Sequence, residues 1–283
     1  MTAYLRPSSL DEALAARRDH ASYVVLAGGT DLLVSVNRRP PPPGIIDLFG
    51  LGALCGIAME ANGGVSIGAA TTYAEILRSS IVRTQLPCLA EAAREVGALQ
   101  IQARGTLGGN MATSSPVGDT LPVLLALDAT VELASARGQR SVPYTEFITG
   151  YRQTALAADE LIVRISFPPV PSGARQFWRK MGTRRAQSIS KVMVAGCARV
   201  RDGVIEHVRI ALGAVADRPV RALAAEAAVL GQAPGPKTAK LARQAVADSI
   251  RPIDDVRSTA AYRLAAGANV VSRFIEGLAE PTR

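Results

Sequence analysis

Apolar residues change their spacing several times along the chain, and each change marks an element. Leu10, Ala13 and Leu14 recur at helical spacing after Ser9, and Ser9 or Asp11 can cap that first helix. Tyr23-Val24-Val25-Leu26-Ala27 is a short unbroken apolar run. It is followed by Gly28-Gly29-Thr30-Asp31, then by Leu32, Leu33 and Val36 at helical spacing. This predicts a strand, a tight glycine turn and a helix start, with Arg38-Arg39 and the prolines Pro40 to Pro43 ending that helix in a stiff spacer. Residues 44–48 and 65–69 are strand-like, and Thr71 or Thr72 caps a helix through Arg78. Residues 87–99 predict a buried helix with Leu89, Ala92, Ala93, Val96 and Leu99 as its stripe. Further on, 121–127 is helical, 129–134 alternates as a strand, 137–139 turns, and 160–167 is a strand ending at Pro168-Pro169-Val170-Pro171. That proline cluster is the expected domain boundary.

Beyond it, 175–181 is strand-like and 182–190 is a basic, polar loop. Residues 192–201 and 204–215 alternate on either side of Asp202-Gly203, a strong hairpin signal. Three alanine-rich helices follow over 221–230, 237–250 and 256–274, and no internal repeat of fixed period is visible. The expectation is an α+β chain of two domains, 1–170 and 171–283, the second with helices packed on one face of a small antiparallel sheet.

Composition narrows the function. The 283 residues are 48% hydrophobic but only 4% aromatic, so cores must be built from Ala, Val, Leu and Ile. No apolar run approaches the roughly 20 residues of a membrane span. The first twenty residues mix charges with apolar positions and do not form a secretory signal, so a cytoplasmic protein is expected. The net charge of +8 is carried by scattered basic residues without an aromatic platform, which fits a solvated surface better than nucleic-acid binding. Cys55, Cys88 and Cys197 are isolated, and fit reduced core thiols rather than disulfides or a metal cluster. His20 and His207 lie near no cysteine or carboxylate pair, which makes a zinc or haem site, or a histidine triad, a poor reading.

Candidate chemistry concentrates between Arg104 and Pro122. Gly105, Gly108 and Gly109 alternate there with Thr106, Asn110, Thr113, Ser114 and Ser115, and one carboxylate, Asp119, follows. Glycines let a backbone approach a ligand closely, and free N–H groups and hydroxyls donate to an anion. A glycine-rich turn with local Ser/Thr capping is the plainer reading of that stretch alone. The Gly28-Gly29 turn supplies a second such element, and two together suggest one ligand with a diphosphate. Neither loop has the three-glycine dinucleotide fingerprint or a lysine-bearing nucleotide loop, which disfavours an ordinary Rossmann site or an NTPase.

Four motifs in order resemble those of a known family: Ala27-Gly28-Gly29-Thr30-Asp31-Leu32-Leu33, Ala69-Ala70-Thr71-Thr72, Arg104-Gly105-Thr106-Leu107-Gly108-Gly109-Asn110 and Arg184-Arg185-Ala186. They look like the FAD-binding medium subunit of molybdenum hydroxylases, the xanthine dehydrogenase and carbon monoxide dehydrogenase families. The resemblance spans nearly the whole chain, from Tyr4, Pro7 and Ser9-Leu10-Asp11-Glu12-Ala13-Leu14 to the last helices. It implies a two-subdomain FAD-binding fold of the PCMH, vanillyl-alcohol oxidase-like type over 1–170, and a C-terminal domain of the CO dehydrogenase flavoprotein type over 171–283.

By this resemblance, Val25, Leu26, Ala27, Gly28, Gly29, Thr30, Asp31 and Leu32 cradle the diphosphate and ribityl chain. Thr106, Gly109, Asn110 and Thr113 bond the diphosphate and ring edge, and Asp119 holds a hydroxyl near the adenosine half. Val96, Ile162 and Ile189 line the ring, and Lys180 matches a cofactor-contacting lysine, as a ring that becomes anionic on reduction requires. Val96 stands where animal enzymes carry an aromatic residue, so stacking is expected to be weaker. The 180–191 loop lies over the flavin in the family. Ala186, Gln187 and Ser188 replace acidic residues of animal members, which leaves the site more positive and puts NAD in question as acceptor.

The resemblance further implies that a molybdenum-cofactor large subunit hydroxylates the substrate and a [2Fe-2S] small subunit feeds this flavin, in a heterotrimer or its dimer. This chain then carries no catalytic residue and no metal of its own. Two other readings are a stand-alone FAD-dependent reductase or oxidase of the same fold, and a non-enzymatic nucleotide-binding regulator.

Overall fold

The computed structural model describes residues 2–34, 40–184 and 187–280. It begins with β1 (Ala3–Leu5), α1 (Leu10–Asp19), β2 (Val24–Leu26) and β3 (Gly44–Asp47). The strands form a parallel sheet in the order β1-β3-β2, so β2 is an edge. Ser9 caps α1 by accepting from Glu12 N–H at 3.2 Å, and Ala13 is fully buried beneath the sheet. Leu26 lies opposite Asp47, and its carbonyl accepts from Leu48 N–H at 2.7 Å. Residues 24 and 26 therefore spend their backbone groups on β3. By the alternation of a strand, residues 23, 25 and 27 present theirs to the open edge.

Residues 57–167 build the larger unit. Its elements are β4 (Ile57–Met59), β5 (Val65–Gly68), α2 (Tyr73–Arg78), α3 (Ser80–Gln85), α4 (Pro87–Arg94), α5 (Leu99–Gln102), α6 (Leu107–Thr113), α7 (Leu121–Ala126), β6 (Thr130–Ser135), β7 (Gly138–Pro143), α8 (Tyr144–Phe147), the short pair β8 (Ile148–Gly150) and β9 (Gln153–Thr154), and β10 (Leu161–Phe167). An antiparallel sheet runs β4-β5-β10-β6-β7. A register shift between Ile162 and Arg164 decides how β10 is shared. It keeps Ile162, Ile165 and Phe167 in the core of the larger unit, while Leu161 and Val163 pack with Ala13 and Ile46 under the first sheet.

The chain finishes with β11 (Arg175–Met181), β12 (Val192–Arg201), β13 (Val204–Gly213), β14 (Val220–Arg221), α9 (Leu223–Val229), α10 (Pro236–Ser249) and α11 (Ala260–Gly277). The hairpin turn has Asp202 and Gly203 both left-handed, at φ 50° and 78°, the geometry that matches the twist of paired strands. Val192, Val194, Ile210 and Leu212 face the helices, whereas Met193, Ala195, Cys197 and Ala211 join the core of the larger unit. Both faces of the sheet are covered, which is why residues 192–198 are buried without interruption rather than half-exposed.

Three expectations from periodicity need correction. The helix expected over 87–99 stops at Arg94: Gly97 adopts φ 54° with the Ile101 side chain against it, and Leu99 is 79% exposed. The helix expected from 256 starts at Ala260, capped by Thr259, and Val256 is fully exposed. Arg221 belongs to β14 instead of the helix that follows. After Gly29 a short 3-10 turn covers 32–34, with Leu33 and Val34 largely exposed. Val36, Arg38-Arg39 and Arg185-Ala186 lie outside the described residues. Among those described, no helix is long and apolar enough to cross a membrane.

Candidate functional site

The two glycine loops are pressed together, and the contact is between backbones. A Cβ on Gly28 would stand 1.8 Å from the carbonyl oxygen of Arg104, and one on Gly108 would stand 2.7 Å from that of Ala69. Only glycine permits either approach. The β2 strand leads into the first loop and α6 leaves the second, so one cleft of about 600 Å³ runs over both. All the residues expected at the site line this cleft except Lys180 and Ile189.

The donors are unevenly distributed between the loops. At the start of α6 the amides are already used: Leu107 donates to Thr71 O, Gly108 to Ala69 O and Gly109 to Thr106 Oγ1 at 3.1 Å. Thr106 thus holds the helix start, leaving only its own hydroxyl proton to offer a ligand. In the first loop, the N–H groups of Gly28, Gly29 and Thr30 donate to nothing among the described residues. These are the free donors that an anion needs, and they sit within a cleft.

Side chains fix the rest. Asn110 Oδ1 accepts from Thr120 Oγ1 at 2.8 Å. Thr113 Oγ1 donates to Asp31 Oδ2 at 3.4 Å, tying α6 to the first loop, and Arg152 lies 3.8 Å from the same carboxylate. Val96, Val117, Leu156 and Ile162 contribute apolar wall. Val96 is placed by buried Gln102, whose Nε2 donates to the carbonyls of Arg94 at 3.0 Å and Val96 at 3.1 Å.

Asp119 and Lys180, expected to meet the cofactor separately, meet each other. Lys180 Nζ lies 2.9 Å from Asp119 Oδ2 and 3.3 Å from the carbonyl of Glu95, and Ser190 Oγ donates to Asp119 Oδ1 at 2.7 Å. Burial raises the Asp119 pKa, and the charge and hydrogen bonds of Lys180 and Ser190 only partly oppose it. Lys180 stands behind Asp119 rather than in the cleft wall. Ile189 is 51% exposed on the 182–190 loop, outside the cleft.

Sequence reasoning missed Arg17, Tyr23, Tyr73 and Glu160, which also line the cleft. Arg17 looks like an ordinary charged position near the end of α1. Glu160 is engaged by Arg140 through hydrogen bonds of 2.6 and 2.8 Å and by Ala157 N–H at 2.8 Å. Among the described residues no group of histidine, cysteine and acidic side chains could hold a metal ion. Unpaired backbone donors at the centre and apolar side chains beside them suit an elongated ligand with a central diphosphate and a flat apolar end. A flavin dinucleotide has that chemistry.

The comparisons with known proteins agree with this geometry. A family model described as the FAD binding domain in molybdopterin dehydrogenase matches residues 1–170, and one for the CO dehydrogenase flavoprotein C-terminal domain matches residues 177–278. The glyceraldehyde dehydrogenase medium chain of Sulfolobus acidocaldarius is 34% identical over 261 residues, covering 92% of each chain. The xanthine dehydrogenase FAD-binding subunit of Escherichia coli O157:H7 is 31% identical over 265 residues, 92% of this chain and 90% of that one. Among solved structures, a chain of carbon monoxide dehydrogenase from Hydrogenophaga pseudoflava matches with TM-score 0.92 at 33% identity, over 96% of this chain and 95% of that one. A chain of quinoline 2-oxidoreductase from Pseudomonas putida 86 matches with TM-score 0.90 at 28% identity, over 97% and 95%.

Proposed function

The chain belongs to the FAD-binding medium subunits of the molybdenum hydroxylase-type dehydrogenases, oxidoreductases related to xanthine and carbon monoxide dehydrogenases, and on that premise we propose that it is the electron-exit subunit of such a complex. In this reading a large molybdenum-cofactor subunit oxidises the substrate, a small [2Fe-2S] subunit carries the electrons, and this chain delivers them to a soluble acceptor. Residues 1–170 hold the flavin and 171–283 form the second domain. The assembly is a heterotrimer or its dimer.

The observation that carries the reading is the cleft over the two fused glycine loops, with the Gly28, Gly29 and Thr30 amides donating to nothing among the described residues. Bound FAD supplies a redox centre that exchanges electrons singly or in pairs. The residues around it bind and orient. The free amides hold the diphosphate, Val96 and Ile162 shield the ring, and Gln102 keeps Val96 in place. The Lys180 charge is largely balanced by Asp119, so the ring edge is less positive than the sequence alone suggests. The electron acceptor is NAD or another carrier.

The test is direct. The chain is purified, its visible spectrum is recorded, and the released chromophore is weighed by mass spectrometry; co-purification from its host identifies partner subunits by their iron and molybdenum. Flavin bands with FAD released are expected. A folded, colourless chain that fails to take up added FAD would overturn the assignment.

A further inference from the structure

The end of β13 packs against the segment that walls one side of the cleft. A Cβ on Gly213 would stand 2.4 Å from Met193 Cε and 2.9 Å from Pro122 Cγ, so β13 and the start of α7 approach as closely as glycine allows. The next residue, Ala214, is left-handed at φ 63°, a conformation that alanine adopts only at a cost. Its backbone is held there from both sides. The Ala214 N–H donates to Pro116 O at 2.9 Å, and the Ala214 carbonyl accepts from Arg263 Nη1 at 2.7 Å.

Arg263, on α11, is buried and binds two segments at once. Its Nη2 donates to Asp255 Oδ1 at 2.6 Å, and that oxygen gathers its own loop by accepting from the N–H groups of Arg257 at 2.8 Å and Ser258 at 3.1 Å. The planar fork of the guanidinium lets one side chain serve both Ala214 and Asp255. At the far end of this tether, Pro116 sits in a turn closed by Gly118 N–H, which donates to Ser115 O at 2.9 Å. Ser115, Val117, Gly118 and Asp119 line the cleft, and Pro116 does not. Across a trans peptide the C=O and the following N–H point in opposite directions. With the Pro116 carbonyl turned outward to Ala214, the Val117 N–H is turned inward, where its partner among the described residues is Ser115 Oγ at a long 3.4 Å.

We infer that Arg263 is a positioning residue for the cofactor: by holding Ala214 left-handed it keeps the 115–118 turn oriented with the Val117 N–H offered to the bound ligand. The inference rests on the flavin reading above and adds to it a donor from the turn and a support from the second domain. Without the arginine's hold, Ala214 gains by returning to an ordinary backbone conformation. That takes its N–H away from Pro116 and frees the peptide between residues 116 and 117 to rotate. Glycine has no such preference, so a glycine at 214 keeps the tether without the arginine's help.

Titration calorimetry of the full chain, stripped of cofactor, against FAD measures the effect, with circular dichroism to show that each variant is folded. Arg263→Lys keeps a cation beside Asp255 but loses the fork, and is expected to bind FAD about tenfold more weakly than the wild type. Adding Ala214→Gly to it is expected to recover most of that loss, which a general loosening of the domain would not do. Asp255→Asn changes the loop end alone and is expected to stay within about twofold of the wild type. In the wild-type chain, hydrogen exchange at the Val117 amide, followed by NMR, is expected to slow about tenfold or more when FAD binds. Any one of four results overturns the inference and leaves the flavin assignment standing: full FAD affinity in Arg263→Lys, no rescue by glycine, a loss in Asp255→Asn as large as in Arg263→Lys, or Val117 exchange that FAD leaves unchanged. A wild-type chain that binds no FAD overturns both.

Discussion

Lys180 on β11 and Asp119 before α7 form an ion pair at 2.9 Å with side chains only 4% and 12% exposed, and Ser190 donates to the same carboxylate. Residues far apart in sequence thereby clamp the flavin cleft to the second domain. A buried pair is costly to break from one side, because the surviving charge is left in a medium that cannot solvate it. Asp119→Ala should therefore lower the stability of the cofactor-free chain by about 3 kcal/mol or more. Asp119→Ala combined with Lys180→Met should recover a good part of that loss. Urea unfolding monitored by circular dichroism measures both, and equal stability of the single and double variants would show that the two charges are not coupled.

Gly28 and Gly52 make a matched pair for substitution. A Cβ at Gly28 meets the Arg104 carbonyl at 1.8 Å, whereas one at Gly52 meets nothing within 4 Å. Gly28→Ala must part the two loops, with an expected cost of about 2–3 kcal/mol and a loss of FAD uptake. Gly52→Ala should stay within about 0.5 kcal/mol of the wild type and keep its flavin. Thermal melting with and without added FAD separates the two; retention of flavin by Gly28→Ala would mean that the cofactor does not depend on the loop contact.

Gln102 shapes the cleft wall without lining it. Gln102→Leu leaves the Arg94 and Val96 carbonyls without their donor, for an expected loss of about 2 kcal/mol. It also frees Val96, so the absorption fine structure and fluorescence of bound flavin should shift toward those of flavin in water. An unchanged flavin spectrum would separate Val96 from the ring.

Acid sensitivity should be traceable in part to Glu160. Hydrogen bonds from Arg140, with the Ala157 N–H and the arginine's charge in support, hold its carboxyl below the usual value against the opposing effect of burial. The unfolded chain then binds this proton more readily than the folded one. The stability contributed is present above the unfolded carboxylate value of about 4.3, and is lost as pH falls through the lower folded value. Glu160→Gln should be less stable than the wild type at neutral pH, and the gap should close as pH falls below about 4. Urea midpoints across that range check it; a gap that widens in acid contradicts the sign.

What could be read along the chain was what neighbours in sequence decide. The Asp202-Gly203 hairpin, the Ser9 and Thr72 caps and the short strand before Gly28 depend on a few adjacent residues, and each formed where its local chemistry placed it. The glycine motifs also identified the family, because the close backbone contacts at Gly28 and Gly108 demand glycine whatever surrounds them. Periodicity failed where a backbone turn or a second packed layer overrides it. Helix α4 stops short of Val96, with Gly97 left-handed against Ile101, and residues 192–198 of β12 are buried without a break because two layers cover them.

Tertiary structure alone decided how the site's charges and backbone groups are spent. Nothing near Asp119 in sequence announces Lys180, and nothing near Arg263 announces Ala214. Pairing of buried charges and the backbone partners of a buried arginine follow from which segments the fold brings together, and that depends on the whole chain's packing rather than on any local run of residues.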